Sequence, residues 1–318
     1  MHLRRNVLMI CGSFPLLATR ALGMPLGTIG ALDPFIDSPP DAGLRRWLIK
    51  MAHPEAETQK IVMMSSNGQD DLLPKLAAEL VALRPSVILT WGDPGARAAQ
   101  AATKSIPIVV MTEDLLAAGH VDSMSRPGGN MTGVSVMGTE LDAKRLELLA
   151  SLLQPRSTVM VLADALTAPV SRHTMRQTAQ ARGLKLVEVV VRTPQDMKAA
   201  IESARGRGIA GVNLLASAPL HAHMDELILW ANAARLPTIA QWGFDADEGA
   251  LMSYGPVLDP LYRRLLSKVI GLMHGGKVVD FPVEQPTVFE LVINLRTAKA
   301  IGVEVPQSLL LRADRLIS

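Results

Sequence analysis

The stretch "DLLPKLAAELVALRPSVILTWGDPGARAAQ" (Asp71–Gln100) decides the fold class. An amphipathic segment of helical length ends at a proline. The apolar run "SVILTW" (Ser86–Trp91) follows, and after the step Gly92-Asp93-Pro94 a second helical segment begins. An uninterrupted Val/Ile/Leu run of this length suits a strand buried on both faces, and helices on either side of it make the βαβ unit of a parallel sheet. The pattern repeats along the chain. In the first half the runs are "LGTIGAL", "KIVMMSS", "SVILTW", "IPIVVMT" and "MTGVSVM"; in the second they are "STVMVLAD", "LKLVEVVV", "GIAGVNLLAS", "LPTIAQW" and "GALMSYG". The reading is an α/β chain with two parallel sheets.

At 318 residues the chain exceeds the usual single core, and its 48% apolar and 19% charged composition is that of a folded globular protein. A second β-α series starts after the helix "TELDAKRLELLASLLQP" (Thr139–Pro155). The extended "FPVEQPTVFELVINL" (Phe281–Leu295), broken by prolines, reads as a strand returning to the first lobe. The expected division is residues 24–138 plus 287–318 in lobe 1 and residues 139–286 in lobe 2, with crossings near 135–140, 253–257 and 282–287. Several crossings make a hinge. Residues 1–23 have a basic start (Arg4, Arg5), an apolar stretch and small residues near Gly23, the layout of a signal peptide. Export to the periplasm or another extracytoplasmic space is expected.

Composition excludes several functions. The net charge is +2 with the basic residues dispersed, so no footprint for nucleic acid is present. Cys11 is the single cysteine, which leaves no disulfide framework or cysteine metal site. The run "HGGKVV" lacks the Ser or Thr of a phosphate-binding loop and reads as a helix C-cap at Gly275 and Gly276. In "HAHMDE" (His221–Glu226) the ligand spacing of a metal site is missing. No G-x-S-x-G elbow surrounds Ser253, which is expected to act as a hydrogen-bond donor and not as a nucleophile. No catalytic residue, metal or cofactor is assigned.

Of only eleven aromatic residues, Trp91, Trp242 and Tyr254 stand at or just past the C-terminal ends of expected strands, where open parallel sheets bind ligands. They serve either as ligand walls or as packing under loops. Polar groups share that edge. Asp33, Gly92 with Asp93, Thr112 with Glu113, Asp164 and Ser217 all follow strands, although Asp93 and Ser217 read equally well as helix N-caps. Asp164 would face a ligand ammonium, and the backbone near Gly92 a carboxylate.

The runs "SRPGGNMTGVS", "KRLELLASLLQP", "GALMSYGP" and "PVEQPTVFELVINLRTAKAIGVEVPQSLLLRAD" resemble the ABC-transporter substrate-binding proteins of the group that includes binders of tryptophan and other aromatic amino acids. The resemblance extends from about Leu72 to Asp314. It implies a type I periplasmic-binding-protein fold, two Rossmann-like lobes joined by a multi-crossing hinge, and a small molecule, an amino acid among the choices, held between them by closure. It also implies a membrane permease as partner of a monomeric binding component. The alternatives are a sensor that signals to a receptor, or an α/β enzyme. On this reading Trp91 and Trp242 wall the ligand, Asp93 and Thr132 contact it from the first lobe, and Asp164, Ser217, Ser253 and Tyr254 from the second. Gly128 and Gly129 permit the turn before Met131. The chain departs from the family at Thr112-Glu113-Asp114, where Gly-Asp-Pro is usual, and between Asp33 and Asn67, where Pro34, Pro39 and Pro40 replace a Gly-Tyr turn.

Overall fold

A computed structural model describes residues 27–34, 42–51, 57–164 and 169–318; the signal segment expected at residues 1–23 lies outside the described residues. In the first half, β1 (Ile29–Asp33), α1 (Ala42–Lys50), β2 (Ile61–Ser65), α2 (Leu73–Ala82), β3 (Val87–Trp91), α3 (Gly92–Ala102), β4 (Ile108–Thr112) and β5 (Met131–Ser135) alternate as the apolar runs predict. Then come α4 (Gly138–Ala150), β6 (Thr158–Asp164), α5 (Pro169–Ala181), β7 (Lys185–Val191), α6 (Pro194–Ser203), β8 (Ile209–Leu214), α7 (Ala218–His221), α8 (Met224–Ala233), β9 (Thr238–Ala240), α9 (Gly243–Asp247) and β10 (Met252–Pro256). The chain ends with α10 (Leu258–Met273), β11 (Phe289–Asn294), α11 (Leu295–Ile301), α12 (Gln307–Leu310) and β12 (Arg315–Ile317).

The strands form two sheets, ordered β2-β1-β3-β4-β5 and β12-β11-β10-β9-β8-β6-β7. Pairing is parallel throughout except between β10 and β11. Each sheet buries both faces, which is why its inner strands are continuously apolar. Leu73, Leu80, Ala96 and Ala99 of α2 and α3 cover one face of the first sheet, against Leu32, Ile88, Ile108 and Val110. Leu261, Leu265, Leu266 and Val269 of α10 cover the other, against Ile29, Val87, Leu89 and Val109. In the second sheet α6 and α8 pack on one face. On its other face lie α4, α5 and α11.

The expected division of the C-terminal third is corrected by this topology. Residues 289–317 do not return to the first lobe: β11 runs antiparallel beside β10, with Tyr254 opposite Leu291, and β12 extends the same sheet. Leu291 and Ile293 are buried with Leu148, Leu149 and Leu251 of the second lobe. Conversely α10, expected in the second lobe, packs on the first sheet. The connection after it stays there as well. Glu284 bridges to Val134, the Ser135 amide donates to the Glu284 carbonyl at 2.9 Å, and the Thr132 hydroxyl donates to the Phe281 carbonyl at 2.6 Å. The segment therefore lies along the edge strand β5, where Pro282 and Pro286 cost no ladder bond. The chain passes between the lobes after β5, after β10 and before β11. At the turn before β5, Gly128 takes a φ of +89°, whereas Gly129 has no positive φ and open space at its Cβ position, so only the first glycine is required.

One ion pair ties α4 to the second sheet. Arg145 is fully buried, pairs with Asp142 and donates to the Tyr254 carbonyl at 2.9 Å, while the Ala216 amide donates to Asp142 at 3.1 Å. Removing one partner of a buried pair strands the other charge, which costs about 3–5 kcal/mol. Arg145→Met is expected to lower chemical-denaturation stability by that amount, and Arg145→Met with Asp142→Leu to recover part of it.

Candidate functional site: a cavity between the two sheets

The C-terminal edges of the two sheets meet around a cavity of about 180 Å³. It is smaller than the roughly 300–1,000 Å³ of pockets for drug-sized ligands, a scale that suits one small molecule. From the first lobe it is lined by Trp91, Gly92, Met111, Thr112, Glu113 and Tyr262; from the second by Ser217, His221, Gln241, Trp242 and Phe244; Val136 and Leu258 stand at two of the crossings.

Strand-to-helix junctions place the principal groups. Trp91 ends β3 and is the extended N-cap residue of α3 without a side-chain cap bond; Gly92 then turns with a φ of +66°, a conformation that favours glycine. The N-terminus of α3, whose first amides lack intrahelical partners, adjoins the cavity at Gly92. Trp242 and Phe244 stack 6.2 Å apart at an interplanar angle of 7°, and His221 meets Phe244 edge-on at 5.4 Å. Asp245 orients this wall by accepting the Trp242 amide at 2.8 Å. Across the cavity, Tyr262 is braced by Trp47, stacked at 4.8 Å. The aromatic surfaces come from both lobes.

Burial shifts the ionisable groups. It holds His221 down to about 4, so the imidazole is neutral near pH 7, and it pushes the Tyr262 phenol up to about 12, helped by the nearby charge of Asp33. Burial also raises the Glu113 carboxyl to about 7, with repulsion from Asp164 and Asp142 adding to it. Among the described residues no lysine or arginine lines the cavity.

Of the residues expected at the site, Trp91, Gly92, Thr112, Glu113, Ser217 and Trp242 come together here. Ser217 also accepts the Leu220 amide at 3.1 Å, the helix-capping role expected of it. The rest do not line the cavity. Asp93 points away and binds Arg97 at 2.6 Å and His120 at 2.8 Å; burial would raise its carboxyl, but these hydrogen bonds lower it overall. Neither of its readings survives, because it makes no N-cap bond. Thr132 lies towards the N-terminal end of β5, the edge opposite to the cleft, and holds Phe281. Ser253 is fully buried within β10, and its hydroxyl has no hydrogen-bond partner among the described residues. Tyr254 stacks on Phe289 at 6.3 Å. Asp33 and Asp164 are buried at the ends of β1 and β6 without lining the cavity.

Sequence reasoning missed His221, Gln241, Phe244 and Tyr262. Gln241 and Phe244 flank Trp242, and their adjacency to that strand end was the available signal. His221 and Tyr262 lie in the first turn or so of the helices that follow β8 and β10, a position from which a side chain reaches back over the sheet edge.

The carboxyl of Asp245, fully buried, is likewise raised to about 7 by burial. The unfolded chain releases that proton near pH 4 and the folded one near pH 7, so stability conferred by the shift is present below about pH 4 and declines as pH rises to about 7. Asp245→Asn keeps an acceptor for the Trp242 amide and removes the titration. The melting temperature of this variant is expected to fall less between pH 5 and pH 8 than that of the parent chain.

Comparison with known proteins follows the same lines. The sequence profile of the ABC transporter substrate binding protein family matches residues 42–317. A tyrosine-binding protein of Clostridioides difficile strain R20291 is 28% identical over 247 residues, which cover 75% of this chain and 70% of that protein. Among solved structures, a conserved domain protein from Vibrio cholerae superposes with a TM-score of 0.82 at 22% identity, covering 92% of this chain and 99% of that one. A Streptococcus pneumoniae ABC domain in complex with L-Trp superposes with a TM-score of 0.80 at 20% identity, covering 91% and 99%. A cleft of this form between two α/β lobes, in a chain matched over almost all its described length, makes the protein a member of the ABC transporter substrate-binding protein family.

Proposed function

We propose that the chain is the extracytoplasmic binding component of an importer and closes its two lobes over one aromatic amino acid. The observation that carries this reading is the pairing of aromatic walls from opposite lobes, Trp91 and Tyr262 against Trp242 and Phe244, around a cavity of small-molecule size. Flat aromatic faces give large contact area at low entropic cost. The helix start at Gly92 offers amide donors for a carboxylate, and Thr112, Ser217 and Gln241 offer further polar contacts. No helix among the described residues is long and apolar enough to cross a membrane, and the basic and apolar layout of residues 1–23 supports export.

Two relatives support the ligand class, one described as tyrosine-binding and one holding L-Trp. The backbone also lies nearer to the L-Trp complex, at a TM-score of 0.80, than to a ligand-free open substrate-binding protein from Clostridium difficile, at 0.62. This favours a closed arrangement. A ligand touching both lobes binds the closed form better than the open one and shifts the population towards it. A permease then reads the closed form, and the binding component works as a monomer.

Titration calorimetry with L-tryptophan, L-tyrosine and L-phenylalanine, alongside sugars and nucleosides, tests the proposal. Binding confined to the aromatic amino acids is expected, weakened at least tenfold, about 1.4 kcal/mol, by Trp91→Ala or by Trp242→Ala. Binding of a sugar or nucleoside with no response to the amino acids would contradict it.

A further inference from the structure

We propose that Glu113 is the counter-charge for a protonated amine on the ligand, and that the same carboxylate opposes closure over a cleft that lacks a cation. The inference rests on the cleft being the ligand site, as proposed above, but not on the ligand being aromatic.

Glu113 follows β4 beside the first crossing between the lobes, and its side chain lines the cavity. Its backbone carbonyl accepts the Ser135 hydroxyl at 3.2 Å and the Gly138 amide at 3.2 Å, which fixes the residue against the start of α4. A Cβ at Gly138 would come within 2.9 Å of Glu113 Cβ and Cγ, so the first residue of α4 leaves the space in which this side chain lies. The Thr112 hydroxyl donates to Oε2 at 2.9 Å. A neutral donor of this kind orients a carboxylate without neutralising it.

No neutralising group is within reach among the residues that line the cavity. Those bearing on Glu113 from the other lobe are acidic: Asp164 at the end of β6 and Asp142 on α4, the latter already paired with Arg145. Enclosure of the carboxyl by both lobes makes its charge costly, as its upward displacement by burial reflects. An ammonium placed there supplies the missing partner, and the faces of Trp91 and Trp242 favour a cation as well. A second, independent feature points to a ligand in the same cavity. Gln241 is only 5% exposed and lines it, yet its Nε2 finds no hydrogen-bond partner among the described residues. A buried donor without an acceptor is costly unless something else supplies one. The cavity thus offers a carboxylate on one wall and an unmet donor on the other, the two ends that an amine bearing an acceptor group would join.

Calorimetry on the chain, Glu113→Gln and Glu113→Asp tests the proposal with two probe series: L-tryptophan with indole-3-propionate, and L-leucine with 4-methylpentanoate. In each pair the second probe lacks only the amine. In at least one series the parent chain is expected to prefer the amino compound by roughly thirtyfold or more. Glu113→Gln is expected to abolish that preference by weakening the amino compound while the deaminated one holds or improves, and Glu113→Asp to retain part of it. A preference unchanged in Glu113→Gln, or tighter binding of the deaminated probes to the parent chain, overturns the inference. A Glu113-dependent leucine series beside a silent tryptophan series leaves it standing and removes the aromatic reading. Silence in both series overturns both. Melting curves of the variants identify any that fail to fold; the comparison within one variant between paired probes is independent of its stability.

Discussion

The apolar face of α10 joins what the sheets alone would leave apart. Leu261, Leu265, Leu266 and Val269 are buried against the first sheet, yet the strands before and after this helix, β10 and β11, pair with each other in the second. A helix excursion between two neighbouring antiparallel strands forces the chain across the interlobe gap twice, and the link from β5 to α4 adds a third passage. Buried apolar area of this extent resists detachment of the helix. Relative motion is thereby left to the short connections near Val136, Val257 and Gln285. The cavity includes Val136 and Leu258, so the groups that would sense a ligand adjoin the backbone that would bend.

The chemistry of the cavity follows from its place at the ends of parallel strands. Helices start there, which places N-terminal amides such as those after Trp91 beside the opening, and side chains one turn into α7 and α10 line it. The enclosure lowers the local dielectric, strengthening any pairing inside and penalising groups left alone. His221 is therefore neutral near pH 7, and Glu113 is costly to ionise in this enclosed cavity. A site built this way discriminates by what it leaves unpaired as much as by what it touches.

Much of this could be read from the residues. Continuous apolar runs such as "SVILTW" fall in the strands, because burial on both faces admits nothing else. Trp91 and Trp242 were legible as cavity walls because one ends a strand and the other stands just past one. Lobe membership at the C-terminus was not, since "FELVIN" has the same apolar pattern whichever sheet receives it, and the choice rests on antiparallel pairing with β10. Thr132 was misplaced for a related reason: residues near opposite ends of one strand lie at opposite edges of the sheet, and only the C-terminal edge meets the cavity. Asp93 had a visible competitor in Arg97, four residues on, whose pairing draws the carboxylate to the outer side of α3. His221 and Tyr262 required knowing that their helices begin at the cleft.

The central claim is that a ligand draws the two lobes together about this hinge. Spin labels at Leu83→Cys on the first lobe and Leu229→Cys on the second, both exposed positions, in a Cys11→Ser background, report the interlobe distance by double electron–electron resonance. The account predicts a distance distribution that narrows and shifts on saturation with L-tryptophan or L-tyrosine towards the separation in this structure. A distribution that stays unchanged while calorimetry records saturable binding of the same compound would contradict it.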